Sequence, residues 1–188
     1  MSPHTSPLGP TIETVRLVLR PTKMEDFDRW ADFQADAETT RFIGGARSRA
    51  EVWRAMMSVA GAWALTGTGF FSVIEKSSGR WIGRIGPWNP HGWPGPEVGW
   101  SLHRDAMSQG YALEAAVATM NYAVDVLGWD DVIHSIDPDN VASQRLARRL
   151  GSINRGPGRL PPPFQDSAVD IWDQTADEWR ENRKRFTR

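Results

Sequence analysis

Apolar and polar residues recur along the chain with two periods, and these predict its elements. Apolar residues interspersed with arginine from Val15 to Arg20 are typical of a half-buried strand. At three points a serine or threonine is followed three positions later by glutamate, the capping box that begins a helix. These boxes are Thr22–Glu25, Ser48–Glu51 and Thr175–Glu178. Apolar residues at helical spacing follow each box, so the pattern predicts three helices, the second ending at Gly67.

The rest of the chain predicts strands that first follow one another and then alternate with helices. The predicted strands are Gly69–Lys76, Arg80–Trp88, Glu97–Leu102, Asp131–Asp137 and Ala168–Asp173, and the first two form a hairpin. The further predicted helices are Ser108–Leu127 and Asn140–Leu150, and residues 89–96 and 157–163 are predicted loops. This order favours an α/β domain with a mixed sheet.

Composition narrows the class of protein. The 188 residues suit one domain, which we place at residues 12–188, after a flexible N-terminal tail of residues 1–11 that holds three prolines. A formal net charge of −1 argues against binding nucleic acid. There is no cysteine, no apolar run of about 20 residues and no signal-peptide pattern. We therefore expect a cytoplasmic protein that does not enter the membrane.

The strongest chemical signal is a predicted strand, a short loop and then small residues at a helix start. Main-chain N–H groups in the first turn of a helix are unpaired and attract anions. Gly110 and Ala112 would let a phosphate approach these groups closely. Neither a G-x-G-x-x-G fingerprint nor a Gly-Lys-Ser/Thr phosphate loop is present. The alternative is that these small residues only permit close packing of helix on sheet.

Two segments resemble known motifs. The run from Glu97 to Ala116, E-V-G-W-S-L-H-R-D-A-M-S-Q-G-Y-A-L-E-A-A, resembles the pyrophosphate-binding motif of the GCN5-related N-acetyltransferases (GNAT), in the branch containing RimJ and RimL. Asp137-Pro-Asp-Asn-Val-Ala-Ser-Gln, continuing to Leu150-Gly151, is similar to the Asn-x-x-Ser helix of that family. The resemblance spans about residues 14–179. It implies a single-domain, mostly antiparallel mixed sheet flanked by helices, with splayed central strands.

The resemblance also implies a binding site for acetyl-CoA. Its pyrophosphate would lie on the main chain of the helix start, and its pantetheine arm would lie beside the strand before it. The residues implied are Trp100, Leu102, Met107, Ser108, Gln109, Gly110, Tyr111, Ala112, Asn140 and Ser143. A main-chain N–H near Trp100 would stabilise the oxyanion, and Gly99 is interpreted as a bulge that assists the splay.

Three positions depart from the family pattern. Met107 stands where glutamine or arginine is usual, and Ser108 stands where glycine is frequent, which predicts that Ser108 is the N-cap of its helix. Ala147 occupies the position of a tyrosine that serves as general acid in many relatives. The resemblance therefore leaves the proton donor to another group or to water.

Two residues are the candidates for proton transfer. Glu97 is the candidate general base, the alternative being an exposed carboxylate at a strand end. Ser143 is the candidate donor to the leaving sulfur, the alternative being a surface serine bonded to its own helix. His134 is interpreted as a core residue, with catalysis as the less favoured role. Trp93 is a candidate wall of the acceptor pocket, for which packing is the simpler explanation.

The predicted function is acetyl-CoA-dependent acetylation of a primary amine, by direct transfer in a ternary complex. The acceptor is either a protein N-terminus or a small-molecule amine, and its choice is expected to depend on residues 27–67 and on the loops 89–96 and 156–166. The alternative is a catalytically weak protein of the same fold that binds or senses acyl-CoA. No metal is expected, because no group of side chains has metal-ligand spacing. The oligomeric state is open, a homodimer included.

Overall fold

One eight-stranded sheet organises the protein. The computed structural model describes residues 8–186, so residues 1–7 of the predicted tail lie outside the described residues. The strands are β1 Ile12–Glu13, β2 Leu17–Arg20, β3 Phe71–Glu75, β4 Trp81–Trp88, β5 Glu97–Leu102, β6 Asp131–Ile136, β7 Ile153–Gly158 and β8 Val169–Thr175. Their order is β1-β2-β3-β4-β5-β6-β8-β7. All neighbours are antiparallel except β5 and β6, which confirms the predicted mixed, mostly antiparallel sheet.

Helices connect and cover the strands. They are α1 Phe27–Ala35, α2 Ala37–Thr40, α3 Arg49–Thr66, α4 Tyr111–Asn121, α5 Val141–Leu150 and α6 Ala176–Asn182. Helix α4 continues as a π-helical turn, Tyr122–Val126, and short 3₁₀ turns occupy Met24–Asp26, Arg104–Ala106 and Arg183–Phe186. Helix α1 packs on α3 and β4, whereas α4 packs on β4, β5 and α5.

Local signals place two of the three predicted helix starts correctly. The Ser48 and Thr175 side chains each accept the N–H of the glutamate three residues later, and each glutamate bonds back to the cap. Gly67 ends α3 in the left-handed region, with φ of 70°. The hairpin between β3 and β4 and the strand β5 are also confirmed.

The predicted box at Thr22–Glu25 is wrong by one residue. The carboxylate of Asp26 accepts the main-chain N–H of Lys23 at 2.9 Å, so this turn begins at Lys23. Asp26 is 2% exposed and also binds Arg20 at 2.8 Å and Ser72 at 2.7 Å. These contacts with two strands hold the buried carboxylate in place, and a local motif does not encode them.

Strand β7 was predicted in part as a loop. It lies at the edge of the sheet, and its register with β8 shifts between Asn154 and Pro157. An edge strand tolerates proline because one side of its main chain needs no ladder partner. The short elements β1 and α2 were also not predicted, since two and four residues carry no measurable period.

The sheet opens between β5 and β6, as predicted. Glu97 and Ile133 form the one registered pair between these two strands, after which the strands diverge. The predicted bulge at Gly99 is wrong, because the pairing of β4 with β5 runs continuously through Gly86 and Gly99. Gly99 instead provides room: a Cβ there would lie 3.1 Å from a ring carbon of Phe70.

Candidate active site

The gap between β5 and β6 exposes main-chain groups of β5. In a strand, successive residues direct their N–H and C=O groups to opposite neighbours. The carbonyl of Val98 points toward β6, where it meets His134 Nδ1 at 2.7 Å. Trp100 therefore faces the same way, beyond the single registered pair of β5 with β6. Its N–H and C=O are placed to bind an extended group lying in the gap.

His134 is a satisfied core residue. Its ring is 1% exposed, and Nε2 lies 3.0 Å from Ser152 Oγ. Because the Val98 carbonyl only accepts, Nδ1 carries the proton and Nε2 accepts from Ser152. Burial lowers the pKa of His134 to about 4, so the ring is neutral near pH 7. The structure favours the core interpretation of this histidine over a catalytic one.

A cavity at the gap brings the two predicted proton-transfer residues together. It is lined by Glu97, Trp100, Asn140 and Ser143, and also by Arg84 of β4. Its volume is about 100 Å³, room for about three water molecules at 30 Å³ each. A space of this size suits a small acyl group and an amine.

Glu97 is buried, and the alternative of an exposed strand-end carboxylate is wrong. The residue is 7% exposed, and one oxygen, Oε2, accepts from Trp93 Nε1 at 2.6 Å and from Ser135 Oγ at 2.7 Å. Burial raises the pKa of Glu97 to about 7, against these hydrogen bonds, which favour the ionised form. A carboxyl group with such a pKa can exchange a proton near neutral pH.

Ser143 lies at the start of α5, beside Trp100. Asn140 caps this helix, as predicted, with its side-chain oxygen accepting the main-chain N–H of Ser143 at 3.1 Å. The hydroxyl oxygen of Ser143 accepts from Trp100 Nε1, also at 3.1 Å. Among the described residues the hydroxyl hydrogen has no acceptor, which leaves it available to a group in the cavity.

The loop before α4 differs from the prediction at its helix start. The helix begins at Tyr111 and is capped by Gly110, so the predictions of a start at Ser108 and of Ser108 as the N-cap are wrong. Ser108 and Gly110 both have positive φ, 60° and 81°. Backbone of this handedness interrupts the helix and turns successive N–H groups the same way.

Six consecutive main-chain N–H groups, from Ser108 to Leu113, donate to no described residue. Met107, Ser108, Gln109 and Gly110 are exposed. A Cβ on Gly110 would meet, within 4 Å, only Arg16 Nη2 at 3.4 Å, so the approach to this backbone is open. The arrangement is an anion-binding loop built from main chain, which fits the pyrophosphate of acetyl-CoA.

The side chains of the predicted cofactor residues divide into two groups. Tyr111 and Leu102 are each 8% exposed and belong to the core, and the Tyr111 hydroxyl donates to Glu75 at 2.6 Å. Ala112 packs partly against the same core. These residues can therefore offer a ligand main-chain groups, whereas Trp100 also lines the cavity with its ring.

Two residues of the site were not predicted as functional: Ser135, which binds Glu97, and Arg84, which faces the same cavity. Ser135 has no local signal, because its partner lies 38 residues away in sequence. Ala147 is fully buried against Ile136 and Trp172.

Two searches of the described residues add limits. No group of three or more His, Cys, Asp or Glu side chains within residues 8–186 is arranged to hold a metal ion. Over the same residues, none of the helices combines the length and the apolar character needed to cross a membrane.

Comparison with known proteins identifies the class. The family described as "Acetyltransferase (GNAT) domain" matches residues 16–153. An uncharacterized N-acetyltransferase, p20, of Bacillus licheniformis is 27% identical over 165 residues, covering 86% of this chain and 93% of its own. An acetyltransferase structure from Agrobacterium tumefaciens is 29% identical, with a TM-score of 0.76, covering 88% of this chain and 94% of its own. A putative ribosomal-protein-serine acetyltransferase structure from Vibrio cholerae shares the fold at 21% identity, with a TM-score of 0.73 and coverage of 88% and 97%.

The fold, the open strand pair and the anion-binding loop thus define an acetyltransferase class of protein, and the chain belongs to the GNAT family. Within that family it is an N-acetyltransferase of the RimJ/RimL-like group. Membership implies the use of acetyl-CoA and of an acceptor.

Proposed function

We propose that this enzyme transfers an acetyl group directly from acetyl-CoA to a primary amine, with Glu97 as general base and Ser143 as hydrogen-bond donor to the sulfur. One observation carries the proposal. A buried glutamate whose pKa is raised to about 7 lines the same small cavity as a serine whose hydroxyl hydrogen has no described acceptor. A base and a donor are therefore available at the two ends of a transfer reaction.

The anion-binding loop and β5 are proposed to hold acetyl-CoA, which supplies the reactive thioester. The six free N–H groups from Ser108 to Leu113 would bind the pyrophosphate. The main chain of Trp100 would pair with the extended pantetheine arm, as an added strand pairs with a sheet edge. Asn140 and Ser143 lie across the gap, on α5.

Proton movements follow from the acidity of the groups. An alkyl amine has a pKa near 10 and is mostly protonated at neutral pH, so it must lose a proton before it attacks. Glu97, ionised above pH about 7, accepts that proton directly or through a water molecule. As the C–N bond forms, the Trp100 N–H donates to the carbonyl oxygen where charge develops. As the C–S bond breaks, the Ser143 hydroxyl donates to the sulfur.

The test is release of free thiol from acetyl-CoA in the presence of a panel of amines. The panel contains peptides with free N-termini and small primary amines, and the N-acetylated form of each is its matched control. We expect thiol release that saturates with at least one free amine and is absent with its blocked form. Tight binding of acetyl-CoA without amine-dependent release would support the acyl-CoA-binding alternative instead.

Ser143→Ala is expected to lower kcat about tenfold, the value of one hydrogen bond to a developing charge. The dissociation constant of acetyl-CoA, measured by calorimetry, should change much less, because the main chain carries most of the binding. Ser143→Thr keeps a hydroxyl and should retain most of kcat. An alanine variant with wild-type kcat would show that this hydroxyl has no part in the departure of the sulfur.

A further inference from the structure

Arg84 of β4 is a cation without a carboxylate partner inside the cavity that holds Glu97. Its guanidinium lies over the ring of Phe70, 4.7 Å from the centroid, and 5.4 Å from that of Trp30. Its one hydrogen bond runs from Nε to Ser101 Oγ, at 3.3 Å. Within the described part of the chain, no carboxylate oxygen lies within 4.0 Å of it. Both terminal nitrogens therefore keep their donors unused.

The charge on Arg84 persists at neutral pH. Burial, together with the nearby positive charge of Arg47, lowers the pKa of Arg84 to about 10, which leaves the guanidinium protonated. Arg47 itself forms no ion pair with a described residue, and its guanidinium lies 5.7 Å from the ring of Phe164. Two neighbouring cations without counter-ions destabilise a fold unless a bound anion offsets them.

Glu97 lies in the same cavity but is not the counter-ion. Its bonded oxygen is held by Trp93 and Ser135, and it is more than 4.0 Å from Arg84. Arg84 pairs across the sheet with Ser101, four residues beyond Glu97 on the same face of β5. Four residues of strand span about 14 Å, and Gly99 leaves the surface between them open. The cavity thus has a base at one end and a free cation toward the other.

We infer that Arg84, with Arg47 beside it, binds a carboxylate on the acceptor, so that the preferred substrates are amines that carry a carboxylate several bonds from the nitrogen. This inference rests on the proposed function of the site, because it places the amine at Glu97. The planar fork of a guanidinium matches a carboxylate with two parallel hydrogen bonds. The aromatic rings on which Arg84 lies hold the fork in position and restrict water around it.

The experiment compares kcat/KM for matched acceptors. ω-Amino acids from glycine to aminohexanoate are measured against amino alcohols of the same chain length, each corrected for its fraction of neutral amine. Peptides with aspartate or asparagine as second residue form a separate arm. We expect a preference for the carboxylate of about 30-fold or more at the best length, the effect of pairing a desolvated charge. Whether that preference is seen with free amino acids or with peptides identifies the source of the carboxylate.

Variants assign the preference to Arg84. Arg84→Met, which packs well on aromatic rings, should abolish the preference through a higher KM for carboxylate acceptors, with amino alcohols unchanged. Arg84→Lys keeps the charge but loses the fork and should be intermediate. Arg180→Met, which removes an exposed arginine of α6, is the control and should match the wild type. Since Arg84 has no carboxylate partner, the methionine variant should keep the wild-type melting temperature.

The outcomes separate two failures. Acetylation of amino alcohols with no gain from a carboxylate overturns the inference and leaves the proposed function standing. A carboxylate preference that survives in Arg84→Met, or an equal loss for both acceptor classes, also overturns it. Failure of every amine in the panel overturns the proposed function and the inference together.

Discussion

Gly110→Asp is expected to weaken the binding of acetyl-CoA by about 10²-fold or more, whereas Gly110→Asn should weaken it only a few-fold. Both side chains add a Cβ and share the strain of a φ of 81°, which Asn and Asp tolerate better than most residues. They differ by one negative charge, placed beside the six free N–H groups that are proposed to bind the pyrophosphate. The loss corresponds to about two charge-assisted hydrogen bonds.

Titration calorimetry with acetyl-CoA on the two variants makes this comparison. Space does not confound it, because the nearest atom to an added Cβ is the flexible end of Arg16, at 3.4 Å. Equal weakening in both variants would mean that backbone shape rather than phosphate charge limits binding. Wild-type affinity in a folded Gly110→Asp protein would remove the loop from the cofactor site.

Glu97→Gln is expected to lower kcat/KM by about 10²–10⁴, the range for a well-placed general base. In the wild type, kcat/KM should fall as the pH drops below about 7, where Glu97 takes up a proton. That limb of the pH–rate profile should disappear in the variant. The substitution is close to isosteric, because both hydrogen bonds, from Trp93 and Ser135, reach the same oxygen and an amide oxygen can accept both.

Stability provides the control for Glu97→Gln. The folded pKa of Glu97 is raised from its ordinary 4.5 to about 7, so its contribution to stability is full below pH 4.5 and is lost as the pH rises through 7. That loss is about 1.4 kcal/mol per pH unit across the window. Above pH 7 the glutamine variant should therefore unfold no more readily than the wild type, and a slow but stable variant locates the defect in catalysis.

A second variant distinguishes a base from a structural residue. Ser135→Ala removes a hydrogen bond that favours the ionised form of Glu97, so the acid limb should move to higher pH while the plateau rate is largely kept. If Glu97→Gln keeps wild-type kcat/KM across the pH range, Glu97 is not the base. Proximity of the bound reactants would then account for the rate.

Local sequence determined the elements whose signals lie within a few residues. The capping boxes at Ser48 and Thr175 and the Asn140 cap of α5 have the predicted partners, because donor and acceptor are three residues apart. The order of strands and helices then predicted the α/β class, and the motif around Gly110 located the anion-binding loop. The parallel contact of β5 and β6 and their divergence followed from the resemblance rather than from any local pattern.

Tertiary structure decided the features that depend on residues far apart in the chain. Asp26 displaced the predicted box at Thr22 because strands β2 and β4's neighbour β3 supply its partners, Arg20 and Ser72. Glu97 acquires its raised pKa from burial beside Ser135, and the missing counter-ion of Arg84 is visible only when all its neighbours are placed. Periodicity and capping report contacts within one element, whereas burial, pKa and charge pairing are set by which elements the fold brings together.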